Sequence, residues 1–154
     1  MKADKKLSDN LQAVLVDLIE LGIQGKQAHW NVVGKNFRDL HLQLDEIIAA
    51  TRAASDVVAE RMRALQAMPD GRSETVTKTT TLPKLPPDQL DTSDVVTLIT
   101  ERLDAAAATC RRVHDEVDEA DPTSADILHA TIQMLEQYAW MVSAESQKPR
   151  KRAS

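Results

Sequence analysis

Apolar residues recur at helical spacing from the start of the chain. Leu11, Val14, Leu15, Leu18 and Leu21 form one stripe behind Ser8, a residue type that caps helix N-termini. This predicts a first helix from Ser8 or Asp9 to about Val33, with Gly34 as a left-handed C-cap. Asn36 stands where the N-cap of a second helix belongs, and Asp39 adds a carboxylate to its first turn. That helix is expected to reach about Met68, where Pro69-Asp70-Gly71 stops it. Residues 69–92 carry Pro69, Pro83, Pro86 and Pro87 and a β-branched run over 75–81, and they read as a long surface crossover. A third helix opens at Thr92 or Ser93 and ends near Ala120, broken by Asp121-Pro122. Thr123 or Ser124 caps a fourth, running to about Gln147. Met62, Met68, Met134 and Met141 are expected as core fillers, and Cys110 as a small buried hydrophobe.

Four long helices, two short turns and one long middle connection predict an all-α, ferritin-like four-helix bundle with the crossover between helices two and three. A chain of 154 residues suits one domain, here 8–147, flanked by basic tails over 1–7 and 148–154. Few aromatic residues and only four glycines argue against an all-β fold. The lone Cys110 excludes an internal disulfide framework and a cysteine-based zinc site. No apolar run reaches membrane-spanning length and no apolar signal region follows MKADKK, so a cytoplasmic protein without a membrane partner is expected. The net charge of −5 hides a split. Residues 1–6 (Lys2, Lys5 and Lys6 against Asp4) carry +2 and residues 148–154 (Lys148, Arg150, Lys151, Arg152) carry +4, which leaves −11 on the 141 residues between. Short basic tails on an acidic body can grip a polyanion without reading its sequence.

The second helix carries the densest chemistry. Taking His41 as the reference, Asp45, Asp56 and Glu60 fall at about 40°, 60° and 100°, so all four share one face. Mixed imidazole and carboxylate ligands suit iron, manganese or zinc. Asp45 and Asp56 are nevertheless roughly 16 Å apart along one helix axis, too far to meet at one ion. Symmetry resolves this. His41 and Glu60, like Asp45 and Asp56, are equidistant from the point between residues 50 and 51. Two copies packed antiparallel about a two-fold axis there would face Asp45 with the mate's Asp56, and His41 with its Glu60. Ala49, Ala50, Ala53 and Ala54 would permit the close approach, while Arg52 intrudes on the same face. His29 joins from the end of the first helix. No Glu-x-x-His motif occurs, which disfavours a metal centre inside one bundle. His114 and Asp118 read as a surface pair, and His129 as structural or close to a pore.

The stretch 26–61, KQAHWNVVGKNFRDLHLQLDEIIAATRAASDVVAER, closely resembles the Dps family of mini-ferritins (DNA-binding proteins from starved cells). HWNVVG followed by F-x2-LH-x3-D and D-x3-ER carries the likeness, with DPTSADIL at 121–128 and the Trp140 region supporting it. The resemblance implies a hollow homododecamer built from two-fold dimers, with ferroxidase centres between subunits. His29, His41 and Asp45 would form one side of each centre, and Asp56 and Glu60 the other, with room for two iron ions. It further implies oxidation of Fe(II), preferably by hydrogen peroxide, storage of the ferric mineral, and protection of DNA in the cytoplasm, where the protein would associate with the nucleoid. By the same resemblance Trp30 would trap stray radicals, and Asp118, Glu119, Asp121 and Asp126 would line a cation pore. DNA would be held by Lys2, Lys5, Lys6, Lys148, Arg150, Lys151 and Arg152. The alternative is a mainly structural nucleoid protein that binds DNA through those tails.

Overall fold

A computed structural model describes residues 1–150. Four long helices dominate: α1 (Lys5–Asn31), α2 (Phe37–Ala64), α4 (Thr92–Ala120) and α5 (Pro122–Ser143). A short α3 (Ser73–Thr79) and a 3-10 turn (Ala144–Ser146) complete the helices. Two-residue strands β1 (Val32–Val33) and β2 (Leu90–Asp91) pair in parallel, Val32 beside Leu90 and Val33 beside Asp91. α1 packs on α2 and α4, and α5 on α4. The predicted stripe of Leu11, Val14, Leu15, Leu18 and Leu21 is wholly buried, and it meets Leu44 and Ile47 of α2 and Ile99 and Leu103 of α4 in one continuous core. Among the described residues no helix is long and apolar enough to cross a membrane.

Several boundaries differ from expectation, each for a local reason. α1 starts at Lys5, because Asp4 rather than Ser8 caps it by accepting the Leu7 amide at 2.8 Å. Residues 5–7 are therefore helix rather than tail, with Leu7 buried, and the Ala3 amide is tied to the Leu65 carbonyl at 2.9 Å. The helix ends at Asn31 in an extended residue, so Gly34 is not its cap. Gly34 instead holds φ +122° where a Cβ would lie 2.7 Å from Asp91 Oδ2, the side chain that caps α4. Asn36 precedes α2 in a left-handed conformation and caps nothing with its side chain. α2 stops at Ala64, short of Met68, and Met68 and Met141 are exposed rather than core. The fourth long helix begins at Pro122 with Asp121 at its N-cap position, and α-helix gives way to the 3-10 turn after Ser143.

The crossover is clamped from below by polar side chains that the core cannot leave unpaired. Buried Asp17 accepts hydrogen bonds from Thr80 Oγ1 (2.9 Å), the Thr81 amide (2.8 Å) and hydroxyl (2.6 Å), and Thr109 Oγ1 (2.8 Å). Buried Arg102 donates to Gln24 Oε1 and to the carbonyls of Leu98 (2.8 Å) and Lys84 (2.7 Å). The β-branched run around α3 is thus fastened to α1 and α4. Cys110 lies beneath it, and burial pushes its thiol up to about 12, which makes it an unreactive core residue.

A candidate inter-subunit metal centre

The turn between α1 and α2 brings two histidines into face-to-face contact. The His29 and His41 rings stack with centroids 3.7 Å apart and planes 20° from parallel. Each Nδ1 lies 2.9 Å from the other residue's backbone carbonyl. A carbonyl can only accept, so both Nδ1 atoms carry a proton, and in the neutral rings both Nε2 atoms keep a lone pair. Backbone support of this kind orients imidazoles for metal binding. Asp45 stands one turn along α2, with Oδ1 3.5 Å from His29 Nδ1. His29 is buried, while the Asp45 carboxylate is half exposed.

One member of this cluster was not foreseen. Lys26, one turn before His29 on α1, reaches Asp45 Oδ1 at 2.6 Å. Its hydrogen bond holds the Asp45 carboxyl below the usual carboxylate range. The i, i+3 spacing of Lys26 and His29 was the available signal.

Asp56 and Glu60 are exposed farther along α2, and neither makes a hydrogen bond or ion pair among the described residues. Within one chain they do not join the histidines: among the described residues no three His, Cys, Asp or Glu side chains stand where a single ion could reach them. Ala49 and Ala53 are exposed at the helix midpoint, with Ala50 and Ala54 half-buried and Arg52 exposed beside them. Trp30 projects outward, 68% exposed, so it is not a packing aromatic of the isolated chain.

The remaining predicted sites divide. Asp118, Glu119 and Asp126 are exposed near the α4–α5 junction. Asp121 is not available to line a pore. It is buried and binds Arg61 Nη2 at 2.6 Å and the Ser124 hydroxyl. Burial alone would raise its pKa, but the Ser124 hydroxyl and the Arg61 guanidinium outweigh that and hold the carboxyl below the usual range. Lys5 pairs with Asp9, and Lys6 with Glu116 at 2.9 Å, so these two are helix residues with partners rather than a free basic arm. Lys2, Lys148 and Arg150 are exposed, and Lys151 and Arg152 lie outside the described residues.

Comparison with known proteins gives the class first. The ferritin-like domain model matches residues 8–151, so the chain is a ferritin-like protein. Among curated relatives, the DNA protection during starvation protein of Agrobacterium fabrum is 34% identical over 139 residues, 90% of this chain and 86% of that one. DNA protection during starvation protein 2 of Deinococcus radiodurans is 33% identical over 91% of this chain, which spans only 58% of that relative's length. The solved structure of Mycobacterium smegmatis Dps superimposes with a TM-score of 0.89 at 27% identity, over 96% of this chain and 92% of that one. The chain belongs to the Dps family.

Proposed function

We propose that this chain is one subunit of a hollow homododecamer that oxidises Fe(II), stores the ferric product and thereby protects DNA. The observation that carries the reading is the arrangement along α2. A backbone-locked imidazole pair and Asp45 stand on one side of an alanine-rich midpoint, and exposed Asp56 and Glu60 stand the same number of residues beyond it. Antiparallel pairing about that midpoint would complete two identical iron sites, each with two imidazole nitrogens from one chain and carboxylates from both. Carboxylates favour the harder Fe(III) product, and a carboxylate shared by two ions holds them close enough to deliver two electrons together. Each hydrogen peroxide takes one electron from each of two Fe(II) ions and, with two protons, leaves as two waters. Trp30, exposed directly after His29, stands where it can intercept oxidising equivalents that escape.

Asp118, Glu119 and Asp126 would attract Fe(II) toward the shell, whereas Asp121 holds the junction together. The names of the relatives point to DNA protection, and removal of iron and peroxide together would itself achieve it. Direct DNA contact would rest on the C-terminal end, where Lys148 and Arg150 are exposed and unpaired among the described residues. Anaerobic loading with Fe(II) followed by hydrogen peroxide tests the reading, with ferric absorbance and size-resolved mass followed on one sample. Fast oxidation with iron co-eluting on a particle near twelve subunits is expected. Oxidation no faster than in buffer would refute the iron site.

A further inference from the structure

A second pair of histidines meets on the other helix pair, away from α2. His114 of α4 and His129 of α5 bring their ring centroids to 4.5 Å with planes tilted 33°. His114 Nδ1 lies 3.0 Å from Asp115 Oδ1. The carboxylate accepts, so Nδ1 donates, and in the neutral ring Nε2 carries a lone pair. Among the described residues, that Nε2 is the one buried side-chain nitrogen or oxygen with no hydrogen-bond partner. A buried acceptor left unpaired is unfavourable and calls for an explanation.

The surroundings fit a cation. The rings line a recess of about 190 Å³ with Arg111, Asp115 and Ile132. The Arg111 charge is engaged by Glu136 at 2.5 Å. Asp126 Oδ1 lies 3.8 Å from His129 Nδ1, and exposed Asp118 follows His114 by one turn of α4. A nitrogen–metal bond of about 2.1 Å puts an ion roughly 3.2 Å from each ring centroid, so rings 4.5 Å apart are close enough to share one. His129 is 61% exposed and free to adjust. Asp115 on His114 Nδ1 is the carboxylate–histidine arrangement that orients metal ligands.

We propose that His114 and His129 form a second site for a divalent transition metal of the zinc class, completed by water, with Asp115 as the positioning residue. Imidazole pairs select such ions over magnesium or calcium. The test uses the full-length protein carrying His41→Ala, Asp45→Ala, Asp56→Ala and Glu60→Ala, so that the proposed iron site loses an imidazole and its carboxylates and its binding is kept apart from this one. Zinc(II) is titrated calorimetrically, and cobalt(II) is followed by its visible ligand-field absorption. About one ion per chain is expected, lost on adding His129→Ala, an exposed change that spares the fold. Asp115→Ala should weaken zinc affinity about 10- to 100-fold while circular dichroism stays unchanged. Unaltered stoichiometry in the His129→Ala protein, or no cobalt spectrum before that change, would overturn the site.

Discussion

If each iron site draws on two chains, inactive variants should rescue one another in a fixed proportion. His41→Ala breaks the imidazole side of the proposed site and leaves the carboxylate side whole. Glu60→Ala does the reverse. Each variant alone should oxidise Fe(II) no faster than buffer. When the two are unfolded, mixed in equal amounts and co-assembled, a site is intact only where its imidazole side comes from a Glu60→Ala chain and its carboxylate side from a His41→Ala chain. Each condition holds for half the positions, so roughly a quarter of wild-type activity should return. His41→Ala mixed with Asp45→Ala should return nothing, because both lesions lie on one side. The separation of Asp45 from Asp56, roughly 16 Å along α2, is what forbids a one-chain site. The assay is the initial rate of ferric absorbance after hydrogen peroxide, on particles of confirmed size. No recovery in the first mixture, from parents that assemble normally, would refute the shared site.

Four further outcomes follow. Arg61→Met should destabilise the fold by about 3–5 kcal/mol, because it strands the buried Asp121 carboxylate, whereas Asp121→Asn frees an Arg61 that is 22% exposed and should cost only about 1–2 kcal/mol. Asp121 is held below the usual carboxylate range, so its contribution is complete above the unfolded value near 3.9 and is lost as pH falls through the lower folded value; thermal unfolding at fixed protein concentration should show that acid loss in wild type and a weaker one in Arg61→Met. Asp17→Ala removes the acceptor of four hydrogen bonds and should cost about 3 kcal/mol and expose the crossover to limited proteolysis before the helices are cut. Deleting residues 148–154 should weaken DNA retention and lower its salt dependence while leaving iron oxidation unchanged.

The long helices were legible because each carries a stripe that must be buried, and Leu11, Val14, Leu15, Leu18 and Leu21 all are. Their ends were less legible, since a cap is a contest between neighbours. Asp4 and Ser8 are both good caps, and burial of Leu7 favours the earlier one. The 75–81 run read as part of a surface crossover, yet α3 forms there because Val76 is buried and Asp17 fastens the threonines that follow. The family resemblance cast Asp121 as a pore acid. Its partner Arg61 is sixty residues away, and no local pattern announces that contact. The candidate metal residues fared differently. Their helical phase placed them on one face of α2, but Lys26 on Asp45 required the α1–α2 packing to be seen.

Lys26 also bears on why such a face tolerates being shared. In the proposed pairing each site collects Asp45 from one chain and Asp56 and Glu60 from the other, three carboxylates around two imidazoles. Unscreened, like charges gathered in this way would oppose association. Lys26, already on Asp45 at 2.6 Å, offsets part of that charge before any metal arrives, and Arg52 stands on the same exposed face near the midpoint. On this proposal the interface would form without iron and still attract it, because the two cations leave a net negative site once the mate's carboxylates are counted. The opposite face of α2, with Leu40, Leu44, Ile47, Ile48, Val58 and Met62 buried, holds the helix in its own bundle whatever happens on this one. The fold and the proposed site therefore occupy separate faces of the same helix, so lesions in Asp56 or Glu60 should silence the proposed chemistry without unfolding the chain.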